Sequence, residues 1–484
     1  MPSWKQLSFA RMRQSGMMLA ATGMFSLLIG CTVGPDYVRP GVEVPGGYKE
    51  MAGWRVARPK DDTLRGAWWE IFNDPQLNAL EEQVDISNQN VAQAEAQFRQ
   101  ARALVQQARA AYFPTITIGV GVTRSRRSST IGTGGSASRN AVTDYSLPVD
   151  VSWELDVWGR IRRAVESSQA GAQASAADLE TAGLSARAEL AQDYFQLRSL
   201  DTQKQLLDAA VADFEKSLEL TNNRYAAGVA SRADVLQAET QLKTTQAQAI
   251  DVGVQRAQLE HAIALLIGKP ASTVSIPQKP LDMIPPTVPV GVPSEVLERR
   301  PDIAAAERRV AAANAQIGVA EAAYFPTVSL GASGGFESAI ASEWFSAPSR
   351  FWSVGPAISE TVFDGGLRRA QTDEARAAYD ASVAFYRETV LAGFEQVEDN
   401  LAALRILENE AQVQDEAVKA AQQSVTVTTN QYKAGITTYL NVITSQTAAL
   451  TNERTAATIL GNRLNATVLL IKALGGGWNA SKLP

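Results

Sequence analysis

Cys31, His261 and a group of three carboxylates, Asp150, Glu154 and Asp156, are the residues of this chain whose chemistry most needs an explanation. A single cysteine cannot form an internal disulfide, and one cysteine with one histidine cannot build a Cys/His metal cage. His261 lies in a helical stretch without a visible partner and reads as structural. No nucleophile with a partner base, metal-spaced cluster or phosphate-cradling loop occurs, so the pattern argues against an enzyme and implies neither metal nor cofactor. The three acids differ because of their setting. In "YSLPVDVSWELDVWG", residues 145–159, Tyr145, Leu147, Val149, Val151, Trp153, Leu155 and Val157 alternate with a set that includes Ser146, Asp150, Ser152, Glu154 and Asp156. A strand of that pattern has one apolar and one acidic face.

Cys31 also has a telling setting. Lys5, Arg11 and Arg13, with no acid among them, precede the apolar run "GMMLAATGMFSLLIG", which reads as an export signal over residues 1–30. "LLIGC" resembles the lipobox of bacterial lipoproteins, which implies cleavage before Cys31 and acylation of its sulfur and amino group. Two or three acyl chains anchor a terminus stably, whereas one holds it marginally. Thr32, where an aspartate would matter, implies outer-membrane sorting by the same resemblance. Without the first thirty residues the formal charge moves from −6 to −9, and no basic block is interleaved with aromatics, so nucleic acid is excluded as a partner. No later run approaches the roughly 20 apolar residues of a membrane-spanning helix. A bilayer could be crossed only by strands.

The elements around these residues come in two copies. "AYFPTITIG" at 111–119 returns as "AYFPTVSLG" at 323–331, and "NRYAAGVASRADVL" at 223–236 returns as "NQYKAGITTYLNVI" at 430–443. A tandem duplication follows. Ahead of each "AYFP" runs a seven-residue apolar period, Leu77, Val84, Val91, Phe98, Val105, Tyr112 and then Val296, Ile303, Val310, Ile317, Tyr324, which marks helices supercoiling against neighbours. Asp74 with Pro75 supplies an N-cap, and Ser294 can cap the second copy. After the strands come proline-free segments of about 66 residues, each on the order of 100 Å long if helical. Each ends at a glycine, Gly228 or Gly435, placed as a left-handed cap. A shorter helix follows, its seam interrupted by Arg256 or Arg463. The spacing thus predicts residues 31–73 as an extended, lipid-anchored segment, 74–268 as a first repeat of helix, β-hairpin, long helix and helix, 269–293 as a proline-rich linker, 294–475 as a second repeat and 476–484 as a tail.

Each copy offers two strand candidates. In the first copy they are the Ile116 to Thr123 region and the acidic segment. In the second they are Val328, Leu330, Ala332 and Trp352, Val354, Ile358. An export signal, aromatics near strand ends (Tyr145, Trp158, Phe351, Trp352) and acids on one face match a barrel with an apolar outside and a wet interior. Asp150, Glu154 and Asp156 would then face a lumen and favour cations. Four strands cannot close a membrane barrel and open edges are not tolerated in lipid, so several chains must share one barrel.

These features in order, with "CTVGPDYVRP", "WWEIFNDPQLNAL", the paired "AYFPT", "VPSEVLERRPDI" and "LGGGW", resemble the TolC family of outer-membrane efflux channels, in its lipid-anchored OprM/NodT-like branch. The resemblance implies a mainly α fold with a small β part. Long antiparallel coiled-coil helices would form an α-barrel, and four strands per chain would enter a shared β-barrel in a homotrimer. It also implies a periplasmic adaptor and an inner-membrane RND-type pump as partners, with small toxic molecules as cargo. Gly228, Val229, Gly435 and Ile436 become adaptor contacts. Tyr432 and Asp234 become gate residues, whereas Thr437, Asn441 and Thr444 occupy positions that are charged in the family's lock. Closure is then expected to rest on a Tyr432 to Asp234 hydrogen bond and on packing. A protein-secretion duct and a non-porous periplasmic coiled-coil scaffold stay open as alternatives.

Overall fold

The computed structural model describes residues 32–50, 66–126, 128, 141–288, 290 and 293–483. Cys31 and the export signal lie outside the described residues, as does most of the loop between the first two strand candidates. The chain is mostly helical (68%) with a small antiparallel sheet. In the first copy, α1 (Pro75–Ser87) and α2 (Gln89–Ala110) lead to β1 (Thr115–Ile118), β2 (Gly121–Ser125) and β3 (Val142–Leu155), then to α3 (Arg160–Ala226) and α4 (Arg232–Leu266). In the second, α5 (Pro293–Arg299) and α6 (Pro301–Ala322) lead to β4 (Thr327–Ser338) and β5 (Arg350–Ser359), then to α7 (Leu367–Lys433) and α8 (Tyr439–Ala473). The helices α3 and α7 have 67 residues each, and α4 and α8 have 35 each.

The chain divides into two compact units. The first takes in residues up to Pro40, Arg99–Ala172 and Glu307–Ala384, and holds the sheet. Its order is β1, β3, β4, β5, with β2 also on β3. The strands β1 and β2 keep one register, Thr115 opposite Ser152 through Ser125 opposite Val142, and are two halves of a single ribbon. The break falls opposite Pro148. Gly119 donates its N–H to the Pro148 carbonyl at 3.0 Å, but a proline has no N–H to return. The pairing of β3 with β4 joins the hairpins of the two copies. Residues 33–36 lie along α3 and α6, with Val33 bonded to the Trp158 carbonyl, Arg163 bonded to the Val33 carbonyl and to Asp36, and Asn314 bonded to the Pro35 carbonyl.

The second unit comprises Gly41–Phe98, Gln173–Ala306 and Phe385–Pro484. Leu77, Val84, Val296, Ile303, Val390 and Val397 are buried there, as the seven-residue period requires. Asp74 caps α1 by accepting from Gln76 and Leu77. Ser294 does not act as a cap. It lies inside the first turn of α5, and Pro293 takes the opening position.

The period also predicts one unbroken helix ahead of each hairpin, and each is interrupted. Asn88 Oδ1 accepts from the N–H groups of Asn90 and Val91, starting α2, while its Nδ2 donates to the Leu266 carbonyl at the end of α4. In the second copy Arg300 donates to the Ala473 carbonyl at the end of α8, and Pro301 starts α6. The two docked ends meet the break through Gly268 and Gly475. A Cβ on either would stand 2.1 Å or 2.0 Å from a carbonyl oxygen, of Ser87 or Arg299, so only glycine permits the approach.

Arg256, an interruption in the α4 seam, has a partner set of its own. It pairs with Asp201 and Glu260, and Asp201 pairs with the buried Arg198. Arg198 and Arg256 donate to the Pro277 and Ile276 carbonyls, and Asp201 accepts from the Lys279 N–H. The proline-rich linker is thereby held against α3 and α4.

Candidate functional site

Opposed residues of an antiparallel ladder share a face. On one face of the sheet Ile116, Ile118 and Val122 oppose Val151, Val149 and Tyr145. Leu147, Trp153 and Leu155 oppose Phe336, Leu330 and Val328, and β5 adds Val354 and Ile358. The other face carries Thr117, Thr123, Asp144, Ser146, Asp150, Ser152, Glu154, Ser329, Ser333 and Glu337. Within the described chain the apolar face is bare: Ile118 is 72% exposed, Trp352 80% and Ile358 72%. A patch of that extent marks a surface made to meet another apolar phase. The ribbon β1/β2 and the strand β5 are the sheet's outer members, each with an edge that no described residue pairs.

Aromatic side chains gather at both ends of the strands. Tyr145, Phe336, Trp344 and Phe345 pack together at one end. At the other, Trp158 stacks on Phe325 at 4.8 Å and donates to the Pro326 carbonyl, while Trp153 donates to the Tyr112 carbonyl. From Tyr145 to Trp153 a strand advances about 27 Å, close to the height of the apolar band between aromatic girdles in outer-membrane barrels.

The three sequence-marked acids part company here. Asp150 stays on the polar face and accepts from Ser333 Oγ at 2.6 Å. Glu154 shares that face, but Arg160 binds it through two nitrogens at 2.9 and 2.6 Å, so its charge is matched. Asp156 is not a face residue, because β3 ends at Leu155. Its carboxylate accepts from the N–H groups of Ile161 and Arg162 and caps α3, which corrects its expected lumenal position. Asp144 and Glu337 belong to the polar face as well. Carrying the alternation upstream of Tyr145 would have found Asp144.

The second place of interest is the pair of helix-to-helix turns, both in the second unit. They have one geometry. Gly228 and Gly435 adopt φ of +73° and +78°, and the N–H groups of Val229 and Ile436 bond back to the Arg224 and Gln431 carbonyls, as in a Schellman cap. Val229 and Ile436 project as exposed apolar tips. Beyond the first turn Ser231 and Asp234 form a capping box that takes up the Asp234 carboxylate. Tyr432 is buried with Tyr439, Val442 and Ala238, and its hydroxyl stands 3.5 Å from Thr221 Oγ1. No bond between Tyr432 and Asp234 forms within the chain. Arg224 instead lies over the Tyr432 ring at 4.6 Å and donates to its carbonyl at 3.2 Å. Arg224 belongs to the first copy and Tyr432 to the second, so the contact joins the two turns. Asn441 donates to Thr437 Oγ1, and Thr444 donates to the Leu440 carbonyl, so these three are tied locally.

A sheet with one lipid-compatible face, one polar face, open edges and paired aromatic ends, on a chain of long helices joined by tight turns, defines a subunit of an outer-membrane channel. The chain belongs to the outer membrane efflux protein family, whose model matches it twice, over residues 80–269 and 292–476. It is 30% identical over 461 residues to the pyoverdine export outer membrane protein OpmQ of Pseudomonas aeruginosa, covering 94% of this chain and 96% of that one. It is 31% identical over 466 residues to the toluene efflux pump outer membrane protein TtgF of Pseudomonas putida, with the same coverage. The solved outer-membrane channel OprN superposes with a TM-score of 0.87 at 33% identity, over 93% of this chain and 100% of that chain. The protein is an outer-membrane efflux channel component, mainly helical with strands for a barrel.

Proposed function

We propose that three copies of this chain close one twelve-stranded barrel and form a passive duct. Through it, small toxic or amphiphilic molecules would pass from an inner-membrane RND-type pump, by way of a periplasmic adaptor, to the exterior. The carrying observation is the sheet: its apolar face is uncovered, as a lipid-facing surface is, and both its edges are unpaired among the described residues, a condition that does not persist in lipid unless neighbouring copies add strands. Copies joined edge to edge head-to-tail close into a ring. Relatives named for pyoverdine and toluene export support small-molecule cargo. Acylation of Cys31 would tether the N-terminal segment to the same membrane. The turns at Gly228, Val229, Gly435 and Ile436 would receive the adaptor. Tyr432, Asp234, Thr437, Asn441 and Thr444 would lie around the closed aperture, with Asp234 free to meet a neighbouring copy only if its capping box opens.

The test is made on purified full-length protein in detergent and in planar bilayers. A mass of three chains with discrete conductance steps is expected. A non-conducting monomer would overturn the reading.

A further inference from the structure

In the first unit a cleft of about 520 Å³ opens beside the Trp158 and Phe325 end of the sheet. Its size lies within the range of small-molecule sites, roughly 300–1,000 Å³. One wall is a face of α7 bearing Arg369, Thr372, Asp373 and Arg376, spaced so that they line up on one side of a helix. The opposite wall is Glu321, Tyr324 and Phe325, and Val33 completes it. Two guanidinium groups and two carboxylates therefore share one cleft. They pair with each other, Arg376 with Glu321 at 2.9 Å and Arg369 with Asp373 at 4.0 Å. Such exposed pairs are weak in water, so they can exchange partners for an incoming ligand at little cost. Just ahead of α7, Val362 and Phe363 are about nine-tenths exposed, and Arg368, bonded to the Thr361 carbonyl and over the Tyr324 ring, ties their loop to the cleft. The cleft thus adjoins an uncovered apolar stretch at the level of the aromatic ends.

We infer that this cleft binds the headgroup of a zwitterionic phospholipid, phosphatidylethanolamine in particular. Arg369 and Arg376 take the phosphate, Glu321 and Asp373 take the ammonium, and the acyl chains lie over Val362 and Phe363. Charge decides the class. A purely anionic headgroup would satisfy the arginines and meet repulsion from both acids. A choline headgroup would offer the carboxylates no N–H donor. The site would seat a lipid beside Val33, close behind the N-terminal end of the described chain. The inference rests on the reading of the sheet as membrane-embedded.

Native mass spectrometry of the full-length channel in detergent tests it, with dioleoyl phosphatidylethanolamine, phosphatidylglycerol, phosphatidylcholine and free phosphoethanolamine added in turn. Wild-type protein is expected to retain phosphatidylethanolamine about tenfold better than the other two lipids, and to keep no free headgroup. The Glu321→Gln/Asp373→Asn pair should lose the preference over phosphatidylglycerol. Arg369→Ala/Arg376→Ala should lose retention of phosphatidylethanolamine, and the same spectra report whether each variant still assembles. An unchanged preference in either assembled variant would overturn the site. Free phosphoethanolamine held as well as the lipid would overturn its assignment to a membrane lipid. Oligomeric mass and conductance of the wild-type preparation separate the two readings: a conducting trimer without lipid preference defeats only this site, and a non-conducting monomer defeats the barrel.

Discussion

Asp150 and Asp156 have the same parity in one alternating run, yet one faces along the sheet and the other caps a helix. The difference lies in where β3 stops, one residue before Asp156. In the proposed duct, cation preference is expected from Asp150 with Asp144 and Glu337 rather than from Asp156. Asp144→Asn/Asp150→Asn should shift the reversal potential toward anions in a salt gradient, whereas Asp156→Ala should leave selectivity alone and cost about 1 kcal/mol of stability through the lost cap. Glu81 is a second residue whose role only the fold reveals. It is fully buried in the second unit, both its oxygens lack a partner among the described residues, and burial raises its pKa to about 9, against a smaller opposing pull from Arg187. A carboxyl that stays protonated when folded and ionises when unfolded withdraws stability as pH rises from about 4.5 to about 9. Thermal melting of the wild type should therefore fall between pH 5 and pH 8. Glu81→Gln should flatten that dependence and melt higher at pH 8, and equal slopes would show Glu81 to be ionised. At the turns, Arg224→Ala removes both the ring contact and the carbonyl bond on Tyr432. An increase in the isolated channel's mean conductance is expected, and no change would place the closure elsewhere.

Adjacent positions on one strand give the clearest test at the scale of elements. Val354 lies on the apolar face of β5 and Ser353 on the polar one. A lysine at the middle of a lipid-facing strand costs about 2–4 kcal/mol, and on the wet side it costs little. Val354→Lys should deplete heat-modifiable, assembled protein from outer membranes while Ser353→Lys leaves it near wild-type amounts. Equal effects would mean that both faces meet the same medium. The strands and the long helices were legible because alternation, proline and glycine are local signals. The strict period of two in β3, the proline-free stretches and the capping Gly228 and Gly435 needed no partner to be read. The break after Arg300 carries such a signal in Pro301, which the seven-residue period obscured, whereas the break at Asn88 was not legible. An asparagine inside a heptad run signals nothing until the end of α4 arrives with an unsatisfied carbonyl.

At the scale of the molecule, the sheet's edges carry the strongest constraint. A row of unpaired N–H and C=O groups beside a lipid-facing surface requires a strand from another copy. Crosslinking in intact outer membranes should therefore trap trimers, and Trp352→Asp, on the apolar face, should lower their yield along with assembly. Cys31→Ser should abolish incorporation of labelled palmitate. If trimers survive that change, closure of the barrel is independent of the lipid tether.

The order of elements, their approximate lengths, the duplication and the two-faced character of the strands were already written in the linear chain, because each depends on neighbours a few residues away. The partners of Arg256 and Tyr432 and the burial of Glu81 were not, since each is set by an element distant in sequence. Capping, ion pairing and desolvation act through space, and spacing along the chain does not encode which groups will be brought together.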